Sequence, residues 1–247
     1  MTIHRKPLKE FARTKIVATV GPACDSIDML TKLIREGVSI FRLNMAHGTQ
    51  KTHGEILGKI REASDVTGIP VATLVDLAGP KIRLGDLGEE PIECEVGQRF
   101  EFVRGEIAGS PHHLVSIYEP LIDEVVEGND ILLSDGLVRF KVIEKKADSA
   151  ICEVRSGGLI RSRQGINLPG VKLSAPALGE VDISNAIWAS KNGIDFISLS
   201  FVRNADEINQ LRKIVTDAGS NASLVAKIEK PEALENLEEI IVSASRR

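Results

Sequence analysis

Apolar residues recur along this chain in two rhythms. In the first, a short β-branched run is followed by a stretch with apolar positions at helical spacing, and the pair repeats. Ile16 to Val20 reads as a strand. Asp25 or Ser26 then caps a helix whose Ile27, Leu30 and Ile34 share one face, and Gly37 ends it. Ser39 to Leu43 is the next strand, followed by a helix through Ile56, Ile60 and Ala63 that stops near Gly68, and Val71 to Val75 is the third. The rhythm resumes much later. Ile183, Ala186 and Ile187 mark a helix before the strand Phe196 to Leu199, and Ile208, Leu211 and Val215 mark another before Leu224 to Ala226. Pro231 suits the first turn of a last helix.

The second rhythm fills the interruption between residues 85 and 174. Short runs such as Arg99 to Val103, Ile131 to Leu133, Leu137 to Ile143 and Ala150 to Val154 are separated by Gly, Asn and Asp turns, which predicts an all-β insert. The organisation expected is thus a βα domain over residues 1–84 and 175–247, interrupted by a β domain over 85–174 that acts as a lid.

Continuous apolar strands alternating with helices predict a parallel sheet covered by helices. Polar residues then choose between an open sheet and a barrel. Arg42 and Asn44, Asp76, Ser200 with Arg203, and Lys227 with Glu229 fall at or just beyond the C-terminal ends of predicted strands, the rim where barrel enzymes place their chemistry. The fold class expected is α/β, a partial (β/α)8 TIM-type barrel of about five βα units at roughly 30 residues each, with an inserted all-β barrel domain. A five-strand sheet leaves two strand edges unpaired, so self-association or a chain supplying the missing barrel strands is expected as a partner.

Charge narrows the partners. Thirty-one basic and 35 acidic residues are mixed along the chain for a net charge of −4, without the basic stripe that nucleic-acid binding requires. No apolar run is long enough for a membrane span, and the basic start lacks the apolar stretch of a secretion signal, so a cytoplasmic location is expected. Cys24, Cys94 and Cys152 are widely spaced and odd in number, and read as reduced structural thiols.

Six segments in order carry a family resemblance. The run from Arg13 to Pro22 resembles the opening strand of pyruvate kinases, and the run from Phe41 to Gly48 resembles their Arg-x-Asn-x-Ser-His loop. The run from Leu74 to Gly85 is similar to the segment entering the lid, and the run from Gln164 to Gly170 to the segment leaving it. Ser200 to Arg203 and Ala226 to Glu229 look like the next two strand ends. This resemblance implies interconversion of phosphoenolpyruvate plus ADP with pyruvate plus ATP, a step of glycolysis. It implies that Arg42 contacts the transferring phosphoryl group and that Lys227 is the central lysine, both catalytic and substrate-binding. Asn44, His47 and Arg83 would contact the nucleotide and its phosphates. Glu229 would ligate Mg²⁺ or Mn²⁺, a role suited to carboxylate oxygen.

Three departures qualify this carry-over. The family's monovalent-cation site maps to Asn44, Ala46, Asp76 and Leu77, but Ala46 brings no side-chain oxygen, and Lys81 stands where K⁺-dependent members have glutamate. K⁺ is therefore expected not to be required. Gln164 replaces a lysine that the family directs to the nucleotide. The segment Leu237 to Ser245 tracks the helix before the family's sixth strand and gives way to Arg246-Arg247, so the second acidic metal ligand is not found. This favours an alternative, a truncated, catalytically inactive fragment or a nucleotide- and phosphate-binding module. A lyase or aldolase barrel acting on pyruvate-like enolates is a third reading, against which the lid insert and ordered motifs argue.

Overall fold

The computed structural model describes residues 14–80, 82–88, 91–105, 107–108 and 110–245, apart from the side chain of residue 135. Lys81, Arg13 and Arg246-Arg247 lie outside the described residues. The chain divides into two compact units, one of residues 1–79 with 177–247 and the other of residues 80–176.

The first unit opens with β1 (Ile16–Thr19), α1 (Ile27–Glu36), β2 (Val38–Asn44), α2 (Gln50–Thr67) and β3 (Ala72–Leu77). Of the two candidate caps for α1, Ser26 is the one used, its hydroxyl accepting from Met29 N. Gly37 ends that helix at φ 109°, a left-handed conformation for which glycine lacks the Cβ penalty. Thr49 caps α2 in a box with Thr52, and Gly68 closes it.

The second unit contains β4 (Ile92–Cys94), β5 (Arg99–Val103), β6 (His113–Val115), the short α3 (Leu121–Glu124), β7 (Asp130–Leu133), β8 (Val138–Lys145), β9 (Ser149–Ser156), β10 (Gly158–Ile160) and β11 (Ile166–Asn167). Six of these form a sheet in the order β11-β7-β8-β9-β5-β6, and β10 pairs with β4. Alternation along β5 and β8 buries Phe100, Phe102 and Phe140. Phe140 meets the other two rings edge-on, at centroid distances of 5.7 and 6.0 Å.

The chain then returns to the first unit through α4 (Glu180–Lys191), β12 (Phe196–Leu199), α5 (Ala205–Asp217), β13 (Ser223–Ala226), α6 (Pro231–Glu235) and α7 (Leu237–Ser245). All pairings in the five-stranded sheet are parallel, in the order β1-β2-β3-β12-β13. Phe41 and Leu43 of β2, Val75 of β3 and Ile197 and Leu199 of β12 form one core with Leu30, Ile34, Leu57, Ile60 and Leu211 of the helices. Burying each such side chain contributes about 1.5–3 kcal/mol.

Two elements differ from the sequence expectation. The buried face of α4 is small and polar, comprising Asp182, Asn185, Ala186, Ala189 and Ser190, because Asp182 turns inward to accept from Gly79 N and Gly179 N. The single last helix expected after Pro231 is broken at Asn236. Its carboxamide donates to Arg203 O while its own carbonyl accepts from Ile240 N and starts α7.

Candidate active site

Register brings the polar strand ends together. On β2, Phe41 and Leu43 enter the core, so Arg42 and Asn44 fall on the opposite face. Asn44 pairs in register with Asp76 of β3, and Asp76 with Ser198 of β12, which sets three polar residues in a row across the C-terminal ends of adjacent strands. Asp76 is 4% exposed, and a carboxylate buried so deeply needs partners.

It has three. Arg42 Nε donates to Asp76 Oδ2 at 2.9 Å and Arg42 Nη2 donates to the same oxygen; Ser198 Oγ donates to Oδ1 at 2.6 Å; and Lys227 Nζ lies 3.4 Å from Oδ1. Burial alone pushes the Asp76 pKa up. Hydrogen bonds from Ser198 and Arg42, with the charges of Lys227 and Arg42, outweigh it and hold the group below the ordinary 3.8. Thr19 of β1 completes the Arg42 setting by accepting from Nη1 at 2.8 Å.

Lys227 reaches Asp76 from just beyond β13, its backbone N–H bonded to Leu199 O at 3.0 Å. Its ammonium also donates to Ser200 Oγ at 2.9 Å and lies 3.3 Å from Glu229 Oε1. Because β13 ends at Ala226, Lys227 and Glu229 approach each other from the segment that follows the strand. That segment is held by Phe201, whose N–H donates to Glu229 Oε2 at 3.0 Å from a left-handed backbone at φ 57°. The ring of Phe201 has room because Gly79 has no Cβ; one built there would lie 3.0 Å from Phe201 Cδ2.

Ala46 N donates to Asn44 Oδ1 at 3.1 Å, and Ser200 Oγ donates to Leu77 O at 2.7 Å, so both acceptors are engaged internally. His47 presents its side chain to solvent at the start of the loop leading into α2. Arg83 belongs to the second unit, where its Nη1 donates to Arg163 O at 2.7 Å and Ser116 Oγ donates to its carbonyl. Gln164, in the same unit, accepts from Arg161 N at 2.9 Å through its side chain.

Sequence reasoning missed Thr19, Ser198 and the orienting role of Phe201. A serine in mid-strand and a phenylalanine after a strand carry no motif signal; only cross-strand register and a positive φ reveal them. Among the described residues there is no cluster of three or more His, Cys, Asp or Glu able to hold a metal ion.

The family model described as pyruvate kinase, barrel domain, matches residues 11–246. The chain belongs to the pyruvate kinase family. It is 37% identical to a pyruvate kinase from Geobacillus stearothermophilus over 94% of this chain and 40% of that protein. It is 38% identical to one from Corynebacterium efficiens over 94% of this chain and 49% of that protein. A solved structure of a pyruvate kinase from Cryptosporidium parvum superposes with a TM-score of 0.87 at 32% identity, covering 94% of this chain and 49% of that one. The chain thus spans half or less of the length of these family members, and its α/β architecture is that of their barrel domain.

Proposed function

We propose that this chain carries the phosphoryl-transfer site of a pyruvate kinase, which moves a phosphoryl group between phosphoenolpyruvate and ADP to give pyruvate and ATP. The observation that carries this reading is the convergence of Arg42 and Lys227 on Asp76, with Glu229 beside Lys227. Phosphoryl transfer needs cationic donors around the equatorial oxygens more than covalent help. Arg42 and Lys227 converge on one carboxylate, and a phosphoryl group brought beside them would offer both cations further acceptor oxygens. The bond from phosphorus to the enolate oxygen breaks as one to the ADP β-phosphate forms, and the enolate takes up a proton to become pyruvate. Lys227 stabilises both the moving group and the enolate oxygen, Ser200 orients its ammonium, and Asn44 and His47 bind the nucleotide.

Glu229 would hold a hard divalent cation as one carboxylate ligand, its orientation fixed by the Phe201 N–H. Mg²⁺ or Mn²⁺ held there would supply positive charge that stabilises the developing enolate. The candidate monovalent-cation groups Asn44, Asp76 and Leu77 already have internal donors, which supports a site that works without K⁺.

The parallel five-strand order fits part of an eight-stranded barrel, and residues 80–176 form the inserted β domain. No helix among the described residues is long and apolar enough to cross a membrane; with the activity proposed, this supports a cytoplasmic location. One observation favours the second reading, a nucleotide- and phosphate-binding module without turnover. Asp76 is committed to Arg42 and Lys227, and among the described residues Glu229 belongs to no cluster of three or more His, Cys, Asp or Glu that could hold a metal.

Calorimetric titration with phosphoenolpyruvate and ADP tests the site. Binding of phosphoenolpyruvate should weaken about tenfold or more in Arg42→Gln, the loss of one charged hydrogen bond. No binding by the folded wild-type chain would overturn both readings.

A further inference from the structure

The buried face of α2 is His53, Leu57, Ile60 and Ala63, one helical stripe whose first member is an imidazole where the pattern calls for an aliphatic side chain. His53 is 7% exposed. Its Nε2 lies 2.7 Å from the carbonyl oxygen of His47. A carbonyl only accepts, so Nε2 carries the proton in this contact. Nδ1 is buried with no hydrogen-bond partner, so the ring's place in the fold rests on the Nε2 bond and on packing.

The contact ties the loop after β2 to the first turn of α2. The loop is otherwise organised by His47 N donating to Asn44 O at 3.2 Å, Ala46 N donating to Asn44 Oδ1, and the Thr49 cap. Gly48 crosses directly over the imidazole at φ 74°, and a Cβ there would lie 3.3 Å from His53 Nε2 and 2.9 Å from Thr52 Oγ1. The backbone of His47 is therefore clamped from the core side while its own side chain stays exposed.

We infer that His53 is a positioning residue for nucleotide binding: it fixes the His47 carbonyl, and through it the geometry in which Asn44 and His47 meet the phosphates. This rests on the nucleotide role proposed for those two residues. His53 does not itself touch the substrate. A partly ordered loop lowers apparent affinity by the fraction of time it spends out of the competent geometry, and loss of one buried hydrogen bond corresponds to roughly tenfold.

Two variants test this. His53→Leu keeps most of the volume but removes the donor, and His53→Gln returns an N–H near the position of Nε2. Two readouts are taken on the full chain: ADP affinity by calorimetry, and backbone order of residues 45–49 by ¹⁵N relaxation, with residues 57–67 of α2 as the internal reference. The expected result for His53→Leu is about tenfold weaker ADP binding and reduced order confined to 45–49, with His53→Gln within about threefold of wild type. An equally ordered loop in His53→Leu overturns the inference, whatever happens to ADP. If the loop loosens but the wild-type chain binds no ADP, the clamp stands and the nucleotide reading of Asn44 and His47 fails.

Discussion

Lys227 Nζ lies 3.4 Å from Asp76 Oδ1, a contact between residues 151 positions apart that joins β3 to the segment after β13. Asp76 is the shared counter-ion of Lys227 and Arg42, so its removal leaves Arg42 without this carboxylate and Lys227 with Glu229. Asp76→Ala should lower stability by roughly 3 kcal/mol, read from urea unfolding. The same pairing predicts a pH dependence. Because the folded pKa of Asp76 is depressed, its contribution is present above the unfolded value of about 3.9 and lost as pH falls through the folded one. Below about pH 4 the wild type should therefore lose stability more steeply than Asp76→Asn.

Gly79 stands at φ 67°, and a Cβ there would press on Phe201 Cδ2 at 3.0 Å and Ser200 O at 3.3 Å. Gly79→Ala should cost about 1–3 kcal/mol from backbone strain and crowding. Because Phe201 N–H holds Glu229, Mn²⁺ affinity measured by electron paramagnetic resonance should fall as well.

Burial pushes the Cys94 thiol up to about 11 and the Cys152 thiol up to about 12, whereas Cys24 is partly exposed. An aromatic disulfide reagent at pH 8 should label Cys24 first and reach the other two only with denaturant. Simultaneous labelling of all three in the native chain would contradict the burial seen in the second unit.

Ala46 offers no side-chain oxygen, and the acceptors around it are taken. Turnover and ADP affinity should match in NaCl and KCl to within about twofold, on the view that fixed internal cations replace the mobile one. Strong K⁺ activation would contradict this.

Much of the first unit was legible because its signals are local. Caps such as Ser26 and Gly37, and the stripes of α1 and α5, lie within one turn of the residues they organise. Arg42, Asn44 and Asp76 were legible because polar residues ending apolar strands stand out. Ser198, Thr19 and His53 were not, since each acts through a partner that only strand register or helix docking brings near. The Asn236 break was hidden for the same reason: a carboxamide bonded to Arg203 O decides it, against a helix-favouring sequence.

Lys227, held by Asp76 and Ser200, is the residue we propose for phosphoryl transfer. Pyruvate formation from phosphoenolpyruvate, ADP and Mg²⁺ by the purified chain, beside Lys227→Met, tests it most directly. Turnover is expected in the wild type, with a loss of about 10²-fold or more in Lys227→Met. No pyruvate from a folded chain that binds ADP, or turnover undiminished in the methionine variant, would contradict it.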